Sequence, residues 1–176
     1  MRELLMKRRS IRKYEDRPVE PEKIEQIMNA ALLAPSSKKS QPWEFIVVND
    51  PALLEKLSVS REAGAAFVKD APLAIVILAD PSKSNVWVED TSIAATLIQL
   101  QAESMGIGSC WIQVRNRSCD AVRTTEEFIR DLLVIPETRH VASIIAMGYP
   151  AETKNPYSDA DLPPGKIFVN RYGLGQ

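Results

Sequence analysis

Four segments of the chain have the apolar patterning of β-strands. Residues 72–79 form a continuous apolar run, Pro-Leu-Ala-Ile-Val-Ile-Leu-Ala, which is typical of a central strand covered on both faces. Residues 141–147 form a second apolar run and predict the last strand of the core. The shorter segments 44–48 and 109–114 predict two further strands. We therefore expect a sheet with residues 72–79 near its middle.

Apolar residues at helical spacing predict helices between these strands. A helix beginning near Pro21 and ending before Pro35 has one apolar face, formed by Ile24, Ile27, Met28, Ala31 and Leu32. Residues 89–105 are apolar almost all round, so we expect this longest helix to be buried on most sides. Gly106 follows as a left-handed cap. Shorter helices are predicted near residues 4–5, over 51–57, over 61–69 and from Thr124 or Thr125 to Leu133, with Glu127 near the cap and a loop at 81–88.

These elements indicate a single domain spanning residues 1–176 with an α+β fold. Helices and strands do not alternate strictly, so we predict a mixed central sheet flanked by helices. The final segment, residues 166–172, has apolar residues at alternate positions, Ile167 and Val169. It could therefore extend to a neighbouring subunit and add an edge strand to that subunit's sheet in a dimer.

The composition is that of an ordinary globular protein. The chain has 45% hydrophobic residues, 26% charged residues and a formal net charge of -1. A general nucleic-acid binder is expected to carry a large basic excess, so no nucleic-acid partner is predicted. The basic residues are concentrated near the start, which fits a small anionic ligand. With no apolar stretch of about 18 residues and no signal-peptide pattern, we expect no membrane partner.

The chain contains few groups for acid–base or thiol chemistry. Cys110 and Cys119 are too few and too unpatterned for a disulfide scaffold or a zinc site, so we predict no metal and a cytoplasmic location. His140 is the single histidine and precedes a predicted buried strand, which favours a structural or surface role. We expect Cys110 to be inert, because no basic residue is adjacent to it in sequence. A bound cofactor that brings its own chemistry is therefore favoured.

The first motif with candidate chemistry is Arg-Arg-Ser-Ile-Arg at residues 8–12. Arginine binds phosphate through forked, charge-assisted hydrogen bonds, and a serine hydroxyl can add another. The segment therefore predicts a phosphate-binding site, although a solvated basic face has the same composition.

Three further motifs follow along the chain. Residues 34–43, Ala-Pro-Ser-Ser-Lys-Lys-Ser-Gln-Pro-Trp, cluster polar side chains between a helix end and a strand start. Residues 106–113, Gly-Ile-Gly-Ser-Cys-Trp-Ile-Gln, lack the third glycine of a dinucleotide fingerprint and close a helix instead of opening one. Residues 146–152, Ala-Met-Gly-Tyr-Pro-Ala-Glu, lead a strand into a turn. Each motif by itself is compatible with an ordinary structural role.

In their order and spacing, the four motifs together resemble the nitroreductase family of flavin mononucleotide (FMN) enzymes, over the chain to about residue 152. The resemblance implies a homodimer with FMN at the subunit interface. It implies an oxidoreductase that passes hydride from NADH or NADPH, through flavin N5, to a small-molecule acceptor such as a nitroaromatic or a quinone. It implies no catalytic side chain, because the flavin carries the electrons.

The resemblance also implies which residues hold FMN. The expected contacts are Arg8, Arg9, Ser10 and Arg12 at the phosphate and the polar edge of the flavin; Pro35, Ser36 and Ser37 from the other subunit; and Trp111, Ile112 and Gln113 beside the ring. Lys39 and Gln41, which follow Ser37, are also expected to contact the cofactor. The backbone N–H of Gln113 would point at N5. A later basic residue for the phosphate is Lys154, Lys166 or Arg171. Lys39 stands where the family commonly has asparagine.

Two alternatives stay open at this point. The chain could be a flavin-binding protein of the same fold with a non-reductase role, as a flavin sensor or a flavin-consuming enzyme. The basic cluster could instead serve a protein or nucleic-acid interface that needs no cofactor. The sequence names neither the acceptor nor the preferred nicotinamide donor.

Overall fold

The computed structural model describes residues 1–173 and contains one four-stranded sheet. The strands are β1 (Trp43–Val48), β2 (Leu73–Ala79), β3 (Gly108–Gln113) and β4 (His140–Gly148), in the order β1-β2-β4-β3. All three strand pairs are antiparallel. The expected α+β class is confirmed. The expectation of a mixed sheet is wrong for these four strands, since parallel pairing within residues 1–173 is limited to one isolated bridge, Ser10 to Ser109.

Within residues 1–173, five α-helices surround the sheet: α1 (Arg2–Lys7), α2 (Pro21–Leu32), α3 (Pro51–Ser58), α4 (Trp87–Ser104) and α5 (Thr125–Leu133). The predicted caps are confirmed. The Thr124 side chain accepts the N–H of Glu127, whose carboxylate accepts the N–H of Thr124. Gly106 has a φ of +76°, as a left-handed cap requires.

The core has two layers, one on each face of the sheet. Alternate residues of β2 separate into these layers: Val76 packs with α3 and α5, and Ile75 packs with α2 and α4. Every residue of β2 is buried, because helices cover both faces of a strand that also has neighbours on both edges. This burial explains the continuous apolar run of residues 72–79.

Two helix predictions are wrong in part. Residues 61–64 are bends and only Ala66–Asp70 form a short 3-10 helix, so no α-helix covers 61–69. Helix α4 begins at Trp87, before the predicted start, and only six of its 18 residues are buried. Ile93 is 40% exposed, so the single chain leaves part of this apolar helix uncovered.

The C-terminal segment extends along the surface. Residues 166–172 form no strand within the single chain, and Ile167 and Val169 are about three-quarters exposed. Exchange of this segment between subunits therefore stays a prediction. In residues 1–173, none of the helices has both the length and the apolar composition needed to cross a membrane.

Candidate functional site

The arginine-rich segment, residues 8–12, lies along the outer edge of β3. Ser10 forms a parallel bridge with Ser109, and the N–H of Ile11 donates to the Ser109 carbonyl at 3.0 Å. The Ile11 side chain packs so closely that a Cβ built on Gly108 would lie 2.9 Å from it. Glycine at 108 is therefore required by this close approach and not by a ligand.

The two faces of this segment have different surroundings. Arg8, Ser10 and Arg12 stand at alternate positions of the segment, on the side opposite to the buried Ile11. All three also influence the pKa of the Cys110 thiol on β3, in agreement with a shared face. Arg9 lies on the other side: its guanidinium is 4.3 Å from the centroid of the Tyr157 ring and donates to a carbonyl of the C-terminal segment. The sequence prediction grouped all four residues, but the structure brings only three of them together.

Burial raises the pKa of the Cys110 thiol, and the nearby charges of Arg12 and Arg8 oppose that shift without reversing it. The sequence argument for an inert thiol was therefore incomplete, because the fold does bring arginines close to it. The direction of the pKa shift still favours the protonated thiol, which is a poor nucleophile.

The turn after β4 fixes the same segment from a second side. The N–H of Ala151 donates to the carbonyl of Lys13 at 2.9 Å, and the N–H of Glu15 donates to the carbonyl of Tyr149 at 2.8 Å. The Glu152 carboxylate accepts the N–H of Arg12 at 2.6 Å. This bond, followed by the contact with Lys154, holds the pKa of Glu152 below its usual range. Glu152 belongs to the fourth motif of the sequence, but its residue type alone predicted no role.

Tyr149 anchors that turn to the start of α2. Its hydroxyl donates to Glu20 at 2.6 Å and accepts from the Lys23 ammonium at 2.7 Å. The Arg17 guanidinium lies 3.8 Å from the centroid of the same ring. The hydrogen bond from Tyr149 is the main reason why the pKa of Glu20 falls to about 2. Tyr149 therefore has a structural role, because it ties the turn after β4 to the start of α2.

Lys154 belongs to the Arg9 side of the segment. Its ammonium lies 2.9 Å from the Glu152 carboxylate, and both residues line a cavity of about 320 Å³ with Arg9 and Glu103. Burial raises the pKa of Glu103. Lys7 also lines this cavity, 3.8 Å from the Glu103 carboxylate, so both lysines of the cavity already face a carboxylate. A phosphate contact from Lys154 therefore stays a prediction. The other two candidates, Lys166 and Arg171, are exposed in the C-terminal segment.

The second predicted binding segment, the loop at residues 35–42, is held by a buried carboxylate. Asp90 of α4 is 3% exposed and accepts the N–H of Ser37 at 2.9 Å and the hydroxyl of Ser84 at 2.8 Å. The hydroxyl of Ser36 accepts the N–H of Gln41 at 3.0 Å. Asp90 was not among the predicted site residues, although an acid in the first turns of an apolar helix is a visible signal in the sequence.

This loop has an unusual backbone. Lys38, Lys39 and Gln41 have φ angles of 52°, 56° and 45°, in the left-handed region. Each such conformation costs a non-glycine residue roughly 1–2 kcal/mol, so other interactions must maintain the loop. The side chains of Pro35, Lys39 and Gln41 are exposed to solvent. Within residues 1–173 no hydrogen bond joins this loop to residues 8–12 or to β3.

The end of β3 presents two of its three predicted residues on one face. Ile112 is buried in the core layer beneath α3 and α5, so its side chain cannot contact a ligand above the sheet. Trp111 lies on the opposite face, and its indole N–H donates to the Gln113 side chain at 3.0 Å. The Gln113 amide donates in turn to the Arg115 carbonyl at 2.9 Å. Ile112 could therefore contact a ring only through its backbone, whereas the Gln113 amide is already engaged by Trp111 and Arg115.

His140 lies apart from these segments. Its Nδ1 atom is 2.8 Å from the Glu126 carboxylate, and its ring stacks on Trp87 with centroids 5.0 Å apart. These contacts connect α4, α5 and the start of β4, as expected of a structural histidine.

Comparison with known proteins gives a consistent result. The family model described as the nitroreductase family matches residues 5–61 and 56–149. A solved structure named FMN-dependent nitroreductase, from Clostridium difficile R20291, is 53% identical with a TM-score of 0.96, and the match covers 98% of this chain and 100% of that one. A protein of Archaeoglobus fulgidus, provisionally named NADH dehydrogenase/NAD(P)H nitroreductase, is 41% identical over 174 residues, with 96% of this chain and 97% of the relative covered.

A more distant relative carries a more specific name. The FMN reductase [NAD(P)H] of Bacillus subtilis is 28% identical over 165 residues, which are 82% of this chain and 63% of that protein. The family model spans most of the chain, and the Archaeoglobus fulgidus relative matches nearly all of it. The chain belongs to the nitroreductase family.

Proposed function

We propose that this protein is an FMN-dependent oxidoreductase that uses NADH or NADPH to reduce a small acceptor such as a nitroaromatic or a quinone. The observation that carries the proposal is the cluster of Arg8, Ser10 and Arg12 on one face of an immobilised segment. Within residues 1–173, neither Arg8 nor Arg12 forms an ion pair with a carboxylate. The names of the family members similar to this chain supply the cofactor class.

The residues present fit a flavin phosphate and its polar edge. Backbone bonds from β3 and from the turn after β4 hold the segment, so its side chains need not hold it themselves. Two guanidinium groups and a hydroxyl can then donate to an anion without leaving a carboxylate unpaired. FMN, when bound, would accept hydride from the nicotinamide donor and deliver it to the acceptor. The protein residues would hold and orient the ligand.

The exposed loop at residues 35–42 and the uncovered side of α4 support a homodimer. Within residues 1–173, Pro35, Ser36 and Ser37 form no hydrogen bond with the arginine-rich segment of their own chain, as expected if they serve the partner's flavin. We expect sedimentation equilibrium to give a dimer of the 19.6 kDa chain. A stable monomer with FMN bound would contradict a site built from two subunits.

Flavin content and donor oxidation test the function directly. The purified protein should be yellow and contain one FMN per chain, and anaerobic NADH or NADPH should bleach the colour. A colourless protein that does not bind added FMN would contradict the proposal. Bound FMN that neither donor reduces would favour a flavin sensor or a flavin-consuming enzyme instead.

A further inference from the structure

A cavity of about 290 Å³ lies between the turn that follows α3 and the turn that follows β3. The cavity is lined by Arg61, Glu62, Ala63, Asn116, Arg117 and Ser118. The N–H of Glu62 donates to the Ser118 carbonyl at 3.4 Å and links the two turns. Two arginines that are distant in sequence therefore face one cavity.

Arg61 differs from most arginines of this protein. Arg2, Arg17 and Arg139 have carboxylate partners. In residues 1–173, outside the exposed C-terminal segment, only Arg8 and Arg61 have a guanidinium with no hydrogen bond, ion pair or aromatic partner. Arg8 belongs to the predicted phosphate site. Like Arg8, Arg61 has guanidinium N–H donors without a partner in residues 1–173, and its side chain is partly buried.

The charge in the cavity favours an anion. Burial, and then the like charge of Arg117, lower the pKa of Arg61. Glu62 lines the same cavity, but it forms no ion pair within 4.0 Å with either arginine, and its charge acts on the thiol of Cys119. Two guanidinium groups and one carboxylate leave a net positive charge. An anion between the arginines would relieve their repulsion.

The backbone adds a further donor. Ala63 lines the cavity, and its N–H donates no hydrogen bond in residues 1–173. Gly64 follows with a φ of +86°. Successive N–H groups in a turn that includes a left-handed residue form a concave site for anions.

Both walls of the cavity connect closely to the predicted flavin site. Asn116 is three residues beyond Gln113, so their Cα atoms are separated by at most about 11 Å. The other wall continues to Phe67, whose ring centroid lies 5.8 Å from the Arg12 guanidinium. A donor with its nicotinamide ring near Gln113 would carry its phosphates away from that point, and this cavity is within reach.

We propose that Arg61 and Arg117 form an anion subsite that binds a phosphate group of the nicotinamide donor. The proposal rests on the proposed function, because it assumes that the donor is positioned beside Gln113. A phosphate has enough oxygens to accept from two arginine forks and a backbone N–H at once. Both the pyrophosphate, which NADH and NADPH share, and the 2′-phosphate, which only NADPH carries, offer this chemistry. A comparison of the two donors therefore shows which phosphate binds.

Stopped-flow reduction of the FMN-loaded protein by NADPH and by NADH tests the subsite. Arg61→Gln and Arg117→Gln should each raise the apparent Kd of the donor about tenfold, as expected for loss of a charge-assisted hydrogen bond. A rise for NADPH alone identifies the 2′-phosphate, and an equal rise for both donors identifies the pyrophosphate. Glu62→Gln should lower the Kd. Arg130→Gln removes a half-buried guanidinium of α5 that does not line this cavity, so it is the matched control and should leave the Kd of both donors unchanged.

Calorimetric titration with inorganic pyrophosphate separates this proposal from the proposed function. Wild-type protein should bind pyrophosphate, Glu62→Gln should bind it more tightly, and both arginine variants should bind it at least about tenfold more weakly. If pyrophosphate binding changes in this way but neither donor reduces the flavin, the anion subsite stands and the reductase function is contradicted. Unchanged donor and pyrophosphate affinities in the Glu62 variant and in both folded arginine variants would overturn the subsite.

Discussion

The two predicted FMN-binding segments of this nitroreductase-family protein are held in place by different means. Residues 8–12 are extended and bonded through their backbone to β3 and to the turn after β4. The loop at residues 35–42 has three left-handed side-chain-bearing residues. It is joined to the rest of the chain by the buried Asp90 carboxylate and, at its end, by the Pro42 carbonyl, which accepts the N–H of Asp80. Because backbone bonds hold residues 8–12, the side chains of Arg8, Ser10 and Arg12 are free to bind a ligand. The loop at residues 35–42, in contrast, needs side-chain hydrogen bonds to keep its shape.

The largest effect is expected for Asp90→Ala, which tests the dependence of the loop on this carboxylate. The variant leaves the Ser37 N–H and the Ser84 hydroxyl without their buried acceptor, so the free energy of unfolding should fall by roughly 3 kcal/mol. FMN affinity should fall as well, because the strained loop relaxes. Urea denaturation and flavin titration measure the two effects.

Asp50→Ala and Asp90→Asn are the controls for this experiment. Asp50 caps α3 at the surface, so its loss should cost about 1 kcal/mol without changing FMN affinity. The asparagine variant can still accept from the Ser37 N–H and should recover part of the loss. Normal FMN affinity in Asp90→Ala would show that the loop does not depend on Asp90 for binding.

Substitutions in residues 8–12 should separate ligand binding from stability. Arg8→Ala and Ser10→Ala should weaken FMN binding about 10- to 100-fold, since a charge-assisted contact contributes roughly 1.5–3 kcal/mol. Thermal denaturation of the flavin-free protein should change little, because the backbone bonds remain. Arg9→Ala is the matched control: it should leave FMN affinity within a few-fold. A loss in Arg9→Ala as large as in Arg8→Ala would contradict the division of the segment into two faces.

The Glu152 carboxylate gives the first segment a dependence on pH. Its pKa is lower in the folded protein than the ordinary value of about 4.3, so its contribution to stability is fully present above that pH. The contribution is lost as the pH falls through the lowered folded value. Glu152→Gln should therefore show less acid destabilisation between about pH 5 and 3 than the wild type. Glu55→Gln, at an exposed carboxylate without a hydrogen bond, should follow the wild-type curve in urea denaturation across this range.

The smallest effect is expected for Cys110→Ser, beneath the Arg8, Ser10 and Arg12 side chains. Burial raises the pKa of the thiol, and the proposed chemistry requires no nucleophile. The rate of flavin reduction by NADH or NADPH should stay within a few-fold of wild type, with any loss arising from packing. A rate reduced by orders of magnitude with FMN still bound would show that the thiol takes part in the reaction.

The sequence predicted the strands well because their burial leaves a local pattern. The apolar runs over β2 and β4, the capping box of α5 and the glycine cap after α4 depend on neighbouring residues and on backbone preferences. The helix predicted over residues 61–69 was wrong because the structure there depends on contacts that are distant in sequence. Its apolar residues resemble a helix, but Arg61 to Gly64 form a turn that meets the turn after β3, and only the tertiary structure shows this meeting.

The sequence by itself determined the α+β class, the core strands and, through four ordered motifs, membership of the nitroreductase family. Each of these depends on residue types at fixed spacing. Tertiary structure alone decided that Arg9 faces away from Arg8, that Asp90 and Glu152 bond to the two predicted binding segments, and that Arg61 and Arg117 line one cavity. Those outcomes depend on which edges and turns come together over long sequence separations. A guanidinium has the same local signal whether it faces a ligand, a ring or a second arginine, and the fold supplies the difference.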